Sequence, residues 1–250
     1  MSEATSTGFF TLGVSPEDYR LPHPRLGLPV ILLIRRVLCR AIAILREQEF
    51  KLAEAREDEV TAALLAVLEN NLRQNGSIAG FSRKTYDRVG RQGAVANFDG
   101  TRLAKSPDLC FKLRHDDCEP RMVVSEYDAL FVECKPVDST HFAGCDYCDD
   151  GLIRFVCGNY AWAMQEGMML AYARDGRTIA GHLIPAMSEP ERMTSLGTVQ
   201  LPQACHTPDA TEHPHVEPIH ISKHGRDFSW LDHKGKATDI TIYHLWHDCG

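Results

Sequence analysis

Several short motifs that mark common enzyme classes are missing from this sequence. It contains no P-loop, no G-x-G-x-x-G and no G-x-S-x-G. These motifs bind nucleotide phosphates, bind dinucleotides and present a nucleophilic serine, respectively. Nucleotide-driven motors, dehydrogenases and serine hydrolases of the usual kinds therefore lose support.

Long apolar runs are scarce as well. The most apolar stretch, residues 28–45, is interrupted by Arg35, Arg36 and Arg40. Its uninterrupted part is far shorter than the roughly 20 residues that a helix needs to cross a bilayer. The opening MSEATSTGFF lacks the charged segment and the apolar segment of a secretory signal. We therefore expect a cytoplasmic protein with no membrane partner.

The cysteine pattern does not indicate a secreted disulfide scaffold. The chain has nine cysteines, an odd number, within 250 residues, whereas disulfide scaffolds are short and usually carry an even number. Reduced thiols are the expectation for a cytoplasmic protein. The net charge of −7 argues against a general nucleic-acid coat protein. A nuclease can nevertheless carry acidic metal ligands and confine its basic residues to one face.

Periodicity and turn residues predict an α/β protein. The predicted helices are residues 28–48, 51–74 and 160–174. The predicted strands are 109–113, 127–134, 178–184, 216–222 and 239–245, with a turn at 115–120 and irregular chain at 185–216. We expect an irregular arm at 1–27 and one domain at 28–250. Its mixed central sheet would be flanked by helices, with a core at about 50–185 and a β-rich extension at 186–250.

Three charged residues accompany the two central predicted strands. Pro107-Asp108 directly precedes one strand, and Glu133-Cys134-Lys135 lies at the end of the next. Because side chains alternate across a strand, Glu133 and Lys135 project from the same face. If the two strands pair, two carboxylates and one amine converge. Such a group suits phosphodiester hydrolysis, in which carboxylates hold Mg²⁺ and the lysine orients water or stabilises developing charge.

This pattern resembles the PD-(D/E)xK, or restriction-endonuclease-like, nuclease superfamily. The resemblance covers about residues 50–185 and implies a restriction-endonuclease-like core with Asp108, Glu133 and Lys135 at its active site. It implies that Asp108 and Glu133 bind the metal, Mg²⁺, for which Mn²⁺ would substitute. It also implies that the substrate is a nucleic acid, with DNA favoured over RNA.

The resemblance implies further site residues on the flanking helices. The family commonly places a glutamate on the helix before the motif, and this chain offers Glu57 and Glu59 there. Glu57 is the narrowly preferred metal ligand, because it shares the apolar face of the predicted helix. Some branches use a glutamine and a tyrosine on the helix after the motif. Gln165 and Tyr172 match in type, but their separation exceeds the usual spacing, so Gln165 is at best a supporting residue.

A basic stretch precedes the motif. In a nuclease it would form a surface for contacts with the nucleic-acid backbone, although such stretches are usually only solvated. The residues of this stretch are Arg83, Lys84, Arg88, Arg91, Arg102 and Lys105.

Other interpretations remain open for the same residues. Asp108, Glu133 and Lys135 could form an ordinary ion-pair group at a strand end, and Glu57 and Glu59 could simply complement the helix dipole. The whole chain could be a catalytically silent nuclease fold that serves as a nucleic-acid-binding or assembly module.

A third interpretation is that the chain is a zinc-stabilised interaction protein. It would use His141, Cys145 and Cys148 with tail residues His244, His247 and Cys249. The second half of such a site lies far along the chain with a different spacing, so zinc is the weaker expectation. His220, His224, His244 and His247 are more typical of hydrogen-bonded structural groups.

The favoured hypothesis is a Mg²⁺-dependent DNA endonuclease, with defence against foreign DNA as a role that such nucleases often have. A homodimer or larger assembly is expected for double-strand cleavage, because nucleases with a single site often need two subunits.

Overall fold

The computed structural model describes residues 21–90, 97–99, 101, 107–113, 127–206, 218–230 and 235–250. The predicted arm up to residue 20, the predicted turn at 115–120, and Ser106, Arg91, Arg102 and Lys105 lie outside these ranges. The described residues form an α/β structure with a six-stranded mixed sheet.

Two long helical segments precede the sheet, close to where periodicity predicts them. Helix α1 spans Leu28–Glu47 and has a proline in its first turn, where no helical hydrogen bond is lost. Helix α2 spans Glu57–Val67, continues through a π-helical turn at Leu68–Leu72, and leads into α3 at Arg73–Asn75. Gly76 ends this segment with a left-handed φ of 59°, a conformation that glycine adopts without a steric penalty.

Acidic residues stabilise the start of α2. Glu57, Asp58 and Glu59 occupy its first turn, where negative charge complements the helix dipole. The Glu59 carboxylate also accepts a hydrogen bond from the Arg56 backbone amide at 3.0 Å, which completes a capping box. This local chemistry fixes the position of the first residue of α2.

The strands have the order β1-β2-β3-β6-β5-β4. The three central strands, β2, β3 and β6, run parallel, and the remaining pairs are antiparallel. Their ranges are Leu109–Lys112, Ala129–Val137, Glu166–Ala173, Thr198–His206, Ile219–His224 and Ile240–Asp248 for β1 to β6. Since β6 pairs directly with β3, the C-terminal strands continue the same sheet.

Short helices connect the strands. A π-helix at Ala143–Leu152 runs into α4 at Ile153–Val156, between β2 and β3. A π-helical segment at Ile179–Leu183 leads into α5 at Ile184–Met187, and α6 spans Pro190–Ser195.

The predicted helix at 160–174 is wrong, because residues 166–173 form the central strand β3. All eight residues of β3 are buried, and a strand covered on both faces reads as a continuous apolar run, much like a buried helix. Tertiary packing therefore overrides the helix propensity of its Met, Leu and Ala residues. Gly167 lets α4 pack closely, since a Cβ there would lie 2.6 Å from the Phe155 ring.

Two neighbouring predictions are also wrong. The predicted strand at 178–184 is the π-helical segment, whose first turn is capped by the Thr178 hydroxyl accepting from the Gly181 amide. The predicted irregular chain at 185–216 contains α5, α6 and β4. Periodicity is a poor guide to elements this short.

Two findings bear on redox state and membranes. Each cysteine within the described ranges is a free thiol. Of the helices described, none combines the length and the apolar character that crossing a bilayer requires.

Candidate active site

Pairing of β1 with β2 brings the two motif carboxyl groups together. The antiparallel register sets Leu109 opposite Val132, so the residue before β1, Asp108, lies beside Glu133. Asp108 Oδ2 accepts a hydrogen bond from the Cys134 backbone amide at 2.7 Å. This bond holds the Asp108 side chain against β2, between the two other residues of the motif.

Lys135 links the motif to the start of α2. Its Nζ donates to Glu57 Oε1 at 2.8 Å and lies 3.4 Å from Glu133 Oε1. Only 10% of the Lys135 side chain and 32% of the Glu57 side chain are exposed. Glu57, Asp108, Glu133 and Lys135 therefore meet at one point, although three separate elements carry them.

Two residues that the sequence analysis did not include enclose Glu133. Arg154 Nη1, from α4, donates to Glu133 Oε1 at 2.6 Å, and the Tyr160 hydroxyl donates to Glu133 Oε2. Only 1% of the Glu133 side chain is exposed. A buried carboxylate needs such partners, but the chain contains 27 lysines and arginines in total. No motif singles out Arg154 among them.

Burial governs the protonation of Glu133. It raises the pKa of Glu133 to about 7, and the nearby Asp108 adds to the rise, whereas Arg154, Lys135 and the Tyr160 hydroxyl act in the opposite direction. Near neutral pH the Glu133 carboxyl therefore exchanges between its two protonation states.

Lys135 keeps its proton in the same surroundings. Burial alone would lower the pKa of Lys135, but the carboxylates of Glu133 and Glu57 outweigh burial and hold that pKa above its ordinary value. Lys135 is therefore a cationic donor at neutral pH. It is suited to orienting a water molecule or stabilising negative charge.

The structure separates Glu57 from Glu59. Glu59 points away from Lys135 and pairs with the exposed Arg56 at 2.9 Å. Gln165 is also elsewhere: it precedes β3, rather than lying on a helix, and donates to the His23 carbonyl at 2.8 Å. Of the three predicted supporting residues, Glu57 contacts Lys135, whereas Glu59 and Gln165 bond to other partners.

The carboxylates do not form a ready-made metal cage. Among the residues that the structure describes, no three His, Cys, Asp or Glu side chains form a group that could hold a metal ion. Lys135 contacts both Glu57 and Glu133, and Arg154 and Tyr160 occupy the two oxygens of Glu133.

The residues considered for zinc are dispersed. Cys148 is buried and Cys145 is exposed on the π-helix, and His141 Nδ1 lies 2.9 Å from an oxygen of Asp138. His247 Nδ1 lies 3.0 Å from the Asp248 carbonyl.

Two histidines of the tail belong to a buried hydrogen-bond chain. His224 Nδ1 lies 3.0 Å from the Leu196 carbonyl and must donate to it, so its Nε2 accepts from Ser222. Ser222 in turn accepts from His244 Nε2, whose Nδ1 accepts from the Tyr147 hydroxyl at 2.9 Å. Burial lowers the pKa of both histidines, so both rings are neutral. The chain ties strands β5 and β6 to the π-helix that covers Lys135.

Comparisons with family models, with curated proteins and with solved structures find no match to this chain.

Proposed function

We propose that this protein is a metal-dependent nuclease that hydrolyses phosphodiester bonds, with DNA as the first substrate to test. The single observation that carries the proposal is the meeting of Glu57, Asp108, Glu133 and Lys135. Lys135 Nζ lies 2.8 Å from Glu57 and 3.4 Å from Glu133. Asp108 accepts a hydrogen bond from the backbone amide of Cys134, the residue between Glu133 and Lys135. Burying the Glu133 carboxylate beside two partly exposed carboxylates is costly unless their charge serves a purpose.

The charge of the group favours a divalent cation. When Glu133 is ionised, as it is above pH 7, the three carboxylates are opposed by two cations, Lys135 and Arg154, which leaves one excess negative charge. A phosphodiester, itself an anion, would be repelled by that excess. A bound divalent cation would reverse the sign, and hard carboxylate oxygens are the ligands that Mg²⁺ prefers.

The donor types therefore fit Mg²⁺, with Mn²⁺ able to substitute, and Asp108, Glu133 and Glu57 are the residues that would hold it. Their present contacts with Lys135 would have to loosen for the oxygens to become ligands, whereas each Glu133 oxygen has a second lone pair and can keep its bond to Arg154 or Tyr160. When bound, Mg²⁺ supplies Lewis acidity to the attacking water and neutralises charge on the phosphate.

Lys135 contributes a fixed positive charge at the same point. Because the neighbouring carboxylates keep it protonated, its role in the proposal is to orient the attacking water and to stabilise charge that develops on the phosphate. Asp108 also positions the strand that carries Glu133 and Lys135, through its bond to the Cys134 amide.

Part of the basic stretch supports a nucleic-acid substrate. Arg83, Lys84 and Arg88 are exposed, and they lie on a segment that bridges from Tyr86 to Leu113, directly after β1, and from Gly90 to Cys110 of β1. In the proposal, these basic side chains contact backbone phosphates. A restriction-endonuclease-like core, a cytoplasmic location, a homodimeric form and a role in defence belong to this proposal as expectations.

Cleavage assays test the proposal directly. Purified protein is incubated with plasmid, linear duplex and single-stranded DNA and with RNA, in Mg²⁺, Mn²⁺ or EDTA. Wild type is compared with Lys135→Ala and with the control Lys223→Ala; Lys223 lies on β5 and pairs with Asp239. We expect metal-dependent products from wild type and the control, and a loss of roughly 10²-fold or more for Lys135→Ala. Equal products from all three proteins would refute the assigned site.

The enclosure of Glu133 supports a second candidate function, a catalytically silent nucleic-acid-binding or assembly module. Both oxygens of Glu133 are already bonded, and its pKa of about 7 leaves it partly neutral. This alternative predicts binding of nucleic acid without cleavage in either metal. It also predicts that Asp108→Ala leaves binding unchanged.

A further inference from the structure

Arg154 enters the candidate site from a part of the chain that carries no motif. It lies on α4, the short helix that follows the π-helix over β2. Its Nη1 is fixed at 2.6 Å from Glu133 Oε1, and 31% of its side chain remains exposed. The residue thus combines a buried anchor with an accessible cationic surface.

Arg154 and Lys135 are neighbours because both contact one oxygen atom. Glu133 Oε1 lies 2.6 Å from Arg154 Nη1 and 3.4 Å from Lys135 Nζ. The two cations differ in access, since Lys135 is only 10% exposed. An anion that approaches from solvent would therefore meet Arg154 first.

The Glu133 side chain is held from its other side as well. Tyr160 bonds Oε2, so the carboxylate serves as a rigid support for the guanidinium. A guanidinium carries five N–H donors in a planar fork that matches the oxygens of a phosphate. The contact of Nη1 with Glu133 and a hydrogen bond with Tyr160 orient the fork.

We propose that Arg154 is the residue that binds the scissile phosphate, with Glu133 as its anchor. The inference rests on the proposed function and deepens it, since it assigns the recognition of the substrate anion to a residue outside the motif. Lys135 remains close to the carboxylates, while Arg154 contacts the non-bridging oxygens of the phosphodiester.

Salt-dependent binding distinguishes this role from a structural one. A fluorescent DNA duplex is titrated with protein in Ca²⁺ over a series of NaCl concentrations, and fluorescence anisotropy gives Kd. For Arg154→Gln we expect affinity to fall roughly tenfold and the slope of log K against log salt to shrink by about 1. Arg154→Lys keeps the charge, so it should retain the slope but lower kcat in Mg²⁺ at least tenfold, because the planar fork is lost.

Arg192→Gln is the matched control. Arg192 makes ion pairs of the same kind with Asp149 and Glu189, outside the site, and its loss should leave both slope and cleavage unchanged. Thermal melts report whether each variant folds. If Arg154→Gln does not fold, Arg154→Lys still decides: unchanged cleavage would overturn the assignment.

The two proposals can fail separately. A wild-type protein that cleaves DNA, together with an Arg154→Gln variant of unchanged slope and affinity, would overturn the phosphate contact and leave the nuclease function standing. A wild type that binds the duplex but cleaves nothing would overturn the nuclease function, while the slope of Arg154→Gln would still decide the contact. A wild type that does not bind nucleic acid would overturn the contact.

Discussion

Replacing Glu133 by glutamine tests the electrostatic account of the site without relying on any substrate. Glutamine has nearly the shape of the protonated glutamic acid and cannot ionise. The stability of the Glu133→Gln variant relative to wild type therefore reports the free energy that ionisation of Glu133 costs in the folded protein. The contacts with Arg154, Lys135 and Tyr160 are included in that cost, since all of them contribute to the pKa.

The expected magnitude follows from the pKa. Burial raises the pKa of Glu133 from 4.5 to about 7, which corresponds to about 3 kcal/mol. Below pH 4.5 the carboxyl is protonated in both the folded and the unfolded chain. As pH rises to 7 and beyond, the unfolded chain releases this proton first, so wild type loses stability relative to Glu133→Gln.

Urea denaturation in EDTA at several values between pH 4 and pH 8 gives the free energy of unfolding of both proteins. The difference, Glu133→Gln minus wild type, should rise by about 3 kcal/mol across this range, and titrating groups that do not interact with Glu133 cancel. Glu59→Gln is the control and should change the opposite way, because its bonds to Arg56 lower the pKa of Glu59. A difference for Glu133→Gln that stays flat or falls would refute the reasoning, since the cations would then outweigh burial.

Three other predictions concern neighbouring contacts. Glu57→Gln should lower the rate of cleavage by roughly 10- to 100-fold, whereas Glu59→Gln should leave it nearly unchanged. Steady-state cleavage rates measure both variants, and equal losses would contradict the assignment of Glu57 rather than Glu59 to the site. Burial lowers the pKa of His224 to about 4. The neutral ring therefore stabilises the protein above pH 6.5, and this stabilisation is lost as pH falls towards 4. An NMR titration of His224 with a midpoint near pH 6.5 would contradict this prediction. Gly167→Ala would place a Cβ 2.6 Å from the buried Phe155 ring and 3.2 Å from Ile242 Cδ1, so a melt should show destabilisation by about 1–3 kcal/mol, and an unchanged melt would oppose it.

Sequence reasoning located the motif because its signal is local. Glu133 and Lys135 share a face through the alternation of a strand, and Pro107-Asp108 directly precedes β1. Helices α1 and α2 were equally accessible, since their apolar periodicity is long and their ends carry proline, acidic residues and glycine.

The error at β3 has a physical cause. A strand buried on both faces has no alternation of apolar and polar residues, so nothing in Met168 to Ala173 distinguishes it from a buried helix. Its identity depends on pairing with β2 on one side and β6 on the other, and β6 lies some seventy residues later in the chain.

By itself, the sequence determined which residues of β2 face the same way, where the first long helices lie, and which carboxylates accompany the lysine. Only the tertiary structure decided that Glu57 rather than Glu59 contacts Lys135, and that Arg154 and Tyr160 enclose Glu133. The reason is that side-chain direction within one element follows from its local period. The partner of a buried charge depends on which distant elements pack beside it, and composition leaves that open.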